Sequence, residues 1–337
     1  MDDFTTDLNM VYASVIIPTY NYANFICEAI NSVLKQAYLG EIEIIVVDDG
    51  STDNTIDILK HFIKEGKIKY FFQENRGKAS ATNFAIQQSK GKYIFNLDAD
   101  DTFLPNKIKA SVAIFESDDT IVHVGSTAKI LYHDKGLFEV EKIPIDILNK
   151  PLDGIWLLHY FYNANILFGG GTTYSARASV LKKINIPDAV DMYIDEFLIV
   201  AILPFGKSYI ISEALSVWRV HANNYSVGQS TKAHKMYKAQ RLLKSSNAML
   251  SYVQNNNYTE ELLKIYRLKN ITEKITLQEN ESKKSIGNIL QYAFQTLIVL
   301  RPNMHLIKKY HVINRLIPTS VFKILKHYFK NAIIKNA

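Results

Sequence analysis

The chain has 337 residues, 47% of them hydrophobic and 21% charged, with a formal net charge of +6. That composition supports a large packed core and excludes a disordered chain. One cysteine, Cys27, excludes an internal disulfide and a cysteine-based metal cluster, and fits a reducing cytoplasm.

Cys27 falls among Phe25, Ile26, Ala29, Ile30, Val33 and Leu34, which recur at helical spacing, so it reads as a packing residue. Residues 1–10 carry three acidic side chains and no apolar run, so no secretory signal is expected there. The charge is unevenly spread. Residues 1–120 hold 11 Lys and Arg against 18 Asp and Glu, whereas residues 232–337 hold 19 against 5. So basic a rear segment is drawn to something anionic, whether phospholipid headgroups, nucleic acid or an acidic partner.

In chain order, β-branched runs predict strands over residues 13–17, 42–47, 68–72 and 92–97. Amphipathic stretches predict helices over residues 24–36, 53–64 and 78–89, the second capped by Ser51, Thr52 or Asp53. This alternation predicts a Rossmann-like, mostly parallel sheet flanked by helices. Each strand runs into a polar loop: Pro18-Thr19-Tyr20-Asn21, Asp48-Asp49-Gly50-Ser51, Glu74-Asn75-Arg76-Gly77 and Asp98-Ala99-Asp100-Asp101. In a parallel sheet all four gather at the carboxyl edge, where open α/β sheets bind ligands.

Residues 121–229 are less regular and are assigned to the same domain, residues 1–229. They hold a strand over 121–132, a Gly169-Gly170-Gly171 turn, an acidic segment over 188–196, and Tyr209-Ile210-Ile211 leading to Trp218-Arg219-Val220-His221. From Ser230 a Lys-rich, helical composition marks a C-terminal appendage, residues 230–337. Residues 285–300 are too short to span a bilayer and are broken by Asn288, Gln291 and Gln295. In residues 321–334, Val321, Phe322, Ile324, Leu325, Tyr328 and Phe329 alternate with lysines at helical spacing. Such a helix either lies in a membrane interface or docks on its own domain.

Asp98 and Asp100, one residue apart at the end of an apolar strand, offer hard oxygen ligands to Mn²⁺ or Mg²⁺ beside a substrate diphosphate. A calcium loop is disfavoured, because Phe103 and Lys109 stand where Gly and Glu are needed. Asp48-Asp49-Gly50-Ser51 reads either as a turn with a helix cap or as a carboxylate that accepts the ring N–H of uracil or thymine. The Gly169-Gly170-Gly171 turn lacks the context of a dinucleotide fingerprint and reads as backbone that lets a sugar approach closely.

Ser14-Val15-Ile16-Ile17-Pro18-Thr19-Tyr20-Asn21, Val46-Val47-Asp48-Asp49-Gly50-Ser51-Thr52-Asp53 and Leu97-Asp98-Ala99-Asp100-Asp101 together resemble the family 2 glycosyltransferases of the A-type fold. The resemblance covers roughly residues 12–229. It implies inverting, metal-dependent transfer from a nucleotide-diphosphate sugar, with UDP-sugar the expected donor, to a hydroxyl of a glycan or lipid-linked acceptor. Envelope or capsular glycan synthesis at the inner face of the membrane is the expected setting, and no nucleic-acid partner is expected. Pro18, Thr19, Tyr20 and Asp49 would surround the base and ribose, and Asp48 of the second loop with Asn75 and Gly77 of the third would also contact the nucleotide sugar. Asp98 would reach the ribose and Asp100 the metal.

Ala81-Thr82-Asn83 stands where the family often has Ala-Arg-Asn, so one donor contact is missing. Lys78, one turn earlier, is either a substitute partner for the donor phosphates or a surface lysine. Spacing from Gly206-Lys207 and Trp218-Arg219-Val220-His221 aligns Asp195 with the family's catalytic aspartate. Glu196 remains the alternative, because Ile194-Asp195-Glu196 departs from the usual Glu-Asp order. One of them must take the acceptor hydroxyl's proton. Arg219 would face the diphosphate, and His221 is either a further metal ligand or structural. A sugar nucleotidyltransferase would need a Gly-rich cationic loop after the first strand, which is absent. A basic membrane or nucleic-acid adaptor without catalysis leaves the four loops unexplained.

Overall fold

The computed structural model describes residues 12–164, 167–221, 224 and 231–281. They fall into two compact units, residues 12–158 with 167–221 and 224, and residues 159–164 with 231–281. The sequence reading did not single out residues 159–166.

The first unit begins with β1 (Ala13–Thr19), α1 (Ile26–Leu34), β2 (Ile42–Asp48), α2 (Thr55–Lys64), β3 (Lys69–Phe72), α3 (Lys78–Gln88) and β4 (Tyr93–Asn96). There follow β5 (Thr102–Phe103), α4 (Lys107–Ser117), β6 (Ile121–Tyr132), β7 (Leu137–Val140) and β8 (Pro151–Asp153). Next come α5 (Gly154–Ala164), which belongs to the second unit from His159 on, then β9 (Ser175–Arg177), α6 (Ala178–Leu181), α7 (Ile194–Ile202) and β10 (Lys207–Val220). One sheet runs in the order β3-β2-β1-β4-β9-β6-β10-β5, with β7 beside β6 and β8 beside β10. The first four strands are mutually parallel, β6 and β10 are parallel, and β9 runs antiparallel between β4 and β6. The carboxyl ends of β1, β2, β3 and β4 therefore share one edge, as the alternation predicts.

Helices on both faces explain why β1 is buried along its whole length and β2 from its second residue onward. Ile26, Ile30 and Val33 of α1, Leu59 and Phe62 of α2, and Val112 and Phe115 of α4 join Val15, Ile17, Ile44 and Val46 in one core. Each such side chain contributes about 1.5–3 kcal/mol on burial. Cys27 packs half-buried against that core.

The expected cap of α2 is corrected. The helix starts after Asn54, which makes no side-chain cap. Asp53 instead spends Oδ1 on the N–H of Thr55 two residues on (3.1 Å) and Oδ2 on the N–H of Ala23 (3.1 Å), tying the first loop to the second.

The second unit holds α8 (Lys232–Asn255), capped by the Thr231 hydroxyl, and α9 (Glu260–Asn280). Met249, Val253, Leu262, Ile265 and Tyr266 are buried, the hydroxyls of Tyr162 and Tyr266 are hydrogen-bonded, and the Lys269 ammonium lies over both rings. Among the described residues no helix is long and apolar enough to cross a membrane. Residues 285–300 and 321–334 lie outside the described residues.

Candidate active site

The four polar loops are knitted together at the sheet edge. Asp48 ends β2 and is buried. Its carboxylate accepts the N–H of Ser51 at 2.8 Å and the Tyr70 hydroxyl at 3.1 Å, which fixes the turn through Gly50. Gly50 has φ +81°, and a Cβ there would press on the backbone nitrogen of Asn75 at 2.9 Å. Asn21, also at positive φ, accepts the N–H of Thr52 at 2.7 Å. Pro18 and Thr19 are buried at the end of β1, the Thr19 hydroxyl without a partner among the described residues, while Tyr20 is 44% exposed.

Asp49 is enclosed by the third loop. Oδ1 accepts from Gln73 Nε2 at 2.6 Å and from the N–H of Arg76 at 2.9 Å, and Oδ2 accepts from the N–H of Gly77 at 2.8 Å. One acceptor direction on Oδ2 stays open.

Lys78 joins two carboxylates. Its Nζ lies 2.9 Å from Asp98 Oδ1 and 3.1 Å from each oxygen of Asp195. Burial alone would lower the ammonium's pKa, but the charges of Asp195 and Asp98 hold it above its ordinary value. Asp195 sits in the first turn of α7, and Glu196 follows it half-buried in the same turn. Burial holds the Asp195 carboxyl above its usual range, against the pull of Lys78 and with the added push of Asp98.

The glycine turn lies beside this pair. Gly169 and Gly171 have φ +80° and +52°, and a Cβ on Gly171 would sit 3.9 Å from Oδ2 of both Asp98 and Asp195. Next to it, the Thr172 hydroxyl accepts the N–H of Asp98 at 3.2 Å and donates to Asp101.

In the acidic turn, ligand oxygens of Asp98, Asp100 and Asp101 lie within 4.8 Å of one another. Asp101 is committed to Thr172 and to the backbone N–H of Arg219. Asp100 Oδ2 meets His221 Nε2 at 3.1 Å and Asn224 Nδ2 at 3.0 Å. Tyr22 also hydrogen-bonds Asp100, and its hydroxyl is pushed up by burial and by the charges of Asp100 and Asp98. Burial and the neighbouring carboxylates raise Asp100, and Asp101 more strongly. A divalent ion relieves that crowding, and carboxylate oxygens with one imidazole suit Mg²⁺ or Mn²⁺. The residues present fit such an ion.

His221 stacks on Phe25 with centroids 4.4 Å apart. Arg219 pairs with Glu28 at 2.7 Å and lies over the Phe25 ring at 5.1 Å, and its buried Nε–H finds no partner among the described residues. Tyr22, Phe25, Gln73, Thr172 and Asn224 were not named from sequence as site residues. Tyr22, Gln73, Thr172 and Asn224 adjoin motifs that were, whereas nothing local marks Phe25.

The fold and this edge define a glycosyltransferase of the A-type architecture. The chain belongs to Glycosyl transferase family 2, whose family description matches residues 14–183. An uncharacterised glycosyltransferase of Nostoc sp. (strain PCC 7120 / SAG 25.82 / UTEX 2576) is 30% identical over 249 residues, 71% of this chain and 74% of that protein. Several rickettsial glycosyltransferases are matched over only 16% to 21% of their own length. Among solved structures, S. aureus TarS 1-349 in complex with UDP-GlcNAc superposes with TM-score 0.59 at 18% identity, covering 92% of this chain and 82% of that one. The mannosyltransferase PcManGT from Pyrobaculum calidifontis, in complex with GDP-Man and Mn²⁺, gives TM-score 0.52 at 18% identity, covering 86% and 81%.

Proposed function

We propose that this transferase moves a sugar from a nucleotide-diphosphate donor, a UDP-sugar, to an acceptor hydroxyl with inversion, using Asp195 as the general base. One observation carries the reading: Asp195 and Asp98 meet the same Lys78 ammonium, so the candidate base and the acidic donor turn share one site beside Gly171. A raised carboxylate pKa makes Asp195 a stronger proton acceptor, as removing a hydroxyl proton requires. The nucleoside occupies the edge formed by Pro18, Thr19, Tyr20, Asp48, Asp49, Asn75 and Gly77, with the open direction of Asp49 Oδ2 accepting a pyrimidine N–H. Asp98 takes the ribose.

Asp100 and His221 hold Mg²⁺ or Mn²⁺, which when bound neutralises charge developing on the departing diphosphate. Arg219 adds a cation on that side. His221 and Asp101 are buried, and half-buried Phe25 stacks on His221, which limits water on that side of the reacting centre. A glycan or lipid-linked acceptor at the inner face of the membrane suits the basic composition of the C-terminal region, where α8 carries Lys232, Lys235, Lys238, Arg241 and Lys244 and no carboxylate.

The test is release of nucleoside diphosphate from a panel of sugar nucleotides with Mn²⁺ or Mg²⁺. UDP-sugars are expected to turn over, and Asp195→Asn is expected to lower kcat by about 10²–10⁴-fold. Full activity in that variant would move the base to Glu196.

A further inference from the structure

Lys78 opens α3 directly after Gly77. A cation at a helix N-terminus faces the positive end of the macrodipole, so local structure disfavours lysine there. What compensates is the pair of carboxylates, one from the turn after β4 and one from the first turn of α7.

The backbone beneath Lys78 is fixed from two sides. Asp49 accepts the N–H groups of Arg76 and Gly77, the two residues before it. On the other side, the Asp191 carboxylate occupies the place that a Cβ on Gly77 would take. Asp191 belongs to the 3-10 turn Asp188–Tyr193, which leads straight into α7. One stretch of chain thus packs on Gly77 through Asp191 and presents Asp195 to the Lys78 ammonium. From the same stretch, Asp188 also pairs with Arg76 of the third loop at 2.6 Å.

From this juxtaposition we propose that Lys78 is a positioning residue, which holds the Asp195 carboxylate opposite Asp98 and links the nucleotide-gripping loop to the base. The inference rests on the reading of Asp195 as base. It differs from a role in pairing with donor phosphates, because the ammonium's hydrogens are already directed at two carboxylates of the protein. With the loop held by Asp49 and the base held by Lys78, the orientation of Asp195 is set by the same residues that receive the donor. A misplacement near 1 Å at such a centre costs about 10²-fold in rate.

The experiment compares wild type, Lys78→Met and Lys78→Arg by steady-state kinetics and by calorimetric titration with UDP. Methionine keeps the length and removes the charge; arginine restores a cation. For Lys78→Met the expected result is UDP affinity and donor KM within about threefold of wild type and kcat lower by about 10²-fold, with Lys78→Arg recovering most of the loss. Retained UDP binding also reports that the variant folds. Weakened UDP binding with kcat preserved would make Lys78 a phosphate partner and overturn the inference, as would unchanged kcat. Failure of the transferase reading is distinguishable, because it appears in the wild type as absence of nucleoside diphosphate release from every donor.

Discussion

Asp101 accepts the backbone N–H of Arg219 at 2.8 Å, so the acidic turn is bonded to the strand that delivers His221. The same carboxylate receives the Thr172 hydroxyl from the glycine turn. Three segments distant in sequence meet on this one side chain, which burial and the charges of Asp100 and Asp98 hold well above the ordinary carboxylate range.

Asp101→Ala is therefore expected to lower stability by about 1–3 kcal/mol, because it leaves a buried N–H and a buried hydroxyl without acceptors. Denaturant unfolding measures it. Activity should fall as well, since both ends of the site lose their common anchor. A variant as stable as wild type would mean that neither bond matters to the fold.

Metal binding should appear as stabilisation independent of turnover. Mn²⁺ at about 100 times its dissociation constant is expected to add about 2.7 kcal/mol, read as a rise in melting temperature. In Asp100→Asn that rise should vanish, while the metal-free protein is no less stable than wild type. Removing one of several crowded carboxylates relieves repulsion that burial and Asp98 impose on Asp100. His221→Gln should shrink the rise without abolishing it. An equal rise in Asp100→Asn would place the ion elsewhere.

The sheet edge was legible because its signals are local. A run such as Val15-Ile16-Ile17 or Ile44-Ile45-Val46-Val47 forms a strand almost wherever it is put, and the polar residues just beyond must then face the edge. Boundaries moved by one or two residues where side chains took over, as when Asp53 bonded Thr55 and Ala23 instead of capping α2. The contacts of Phe25 with His221 and of Gln73 with Asp49 have no such signature. They arise from packing between segments far apart in the chain, and an aromatic at the start of an amphipathic helix looks the same whether or not a histidine will stack on it. Lys78 stands out in the sequence because Ala81-Thr82-Asn83 lacks an arginine, yet its partners depend on where α7 docks.

The glycine turn rests on a buried lysine whose charge can be tested by pH. Lys107, the first residue of α4, is fully buried and donates to the Thr173 carbonyl at 2.7 Å and the Ser126 hydroxyl at 3.1 Å. Burial lowers its ammonium to about 7. In the unfolded chain the same group titrates near about 10.4. Between those values the unfolded state holds a proton that the folded state has released, so stability rises with pH across this window and is flat below it. The slope from one such group is about 1.4 kcal/mol per pH unit. The difference in unfolding free energy between wild type and Lys107→Met should therefore grow in favour of wild type from about pH 7.5 to about pH 9.5. Replacement by methionine removes the titration and the hold on Thr173 together, so transfer activity should drop even where stability is recovered. A difference that does not change with pH would show that Lys107 stays charged in the fold, with the Thr173 carbonyl and Ser126 hydroxyl sufficient to solvate it.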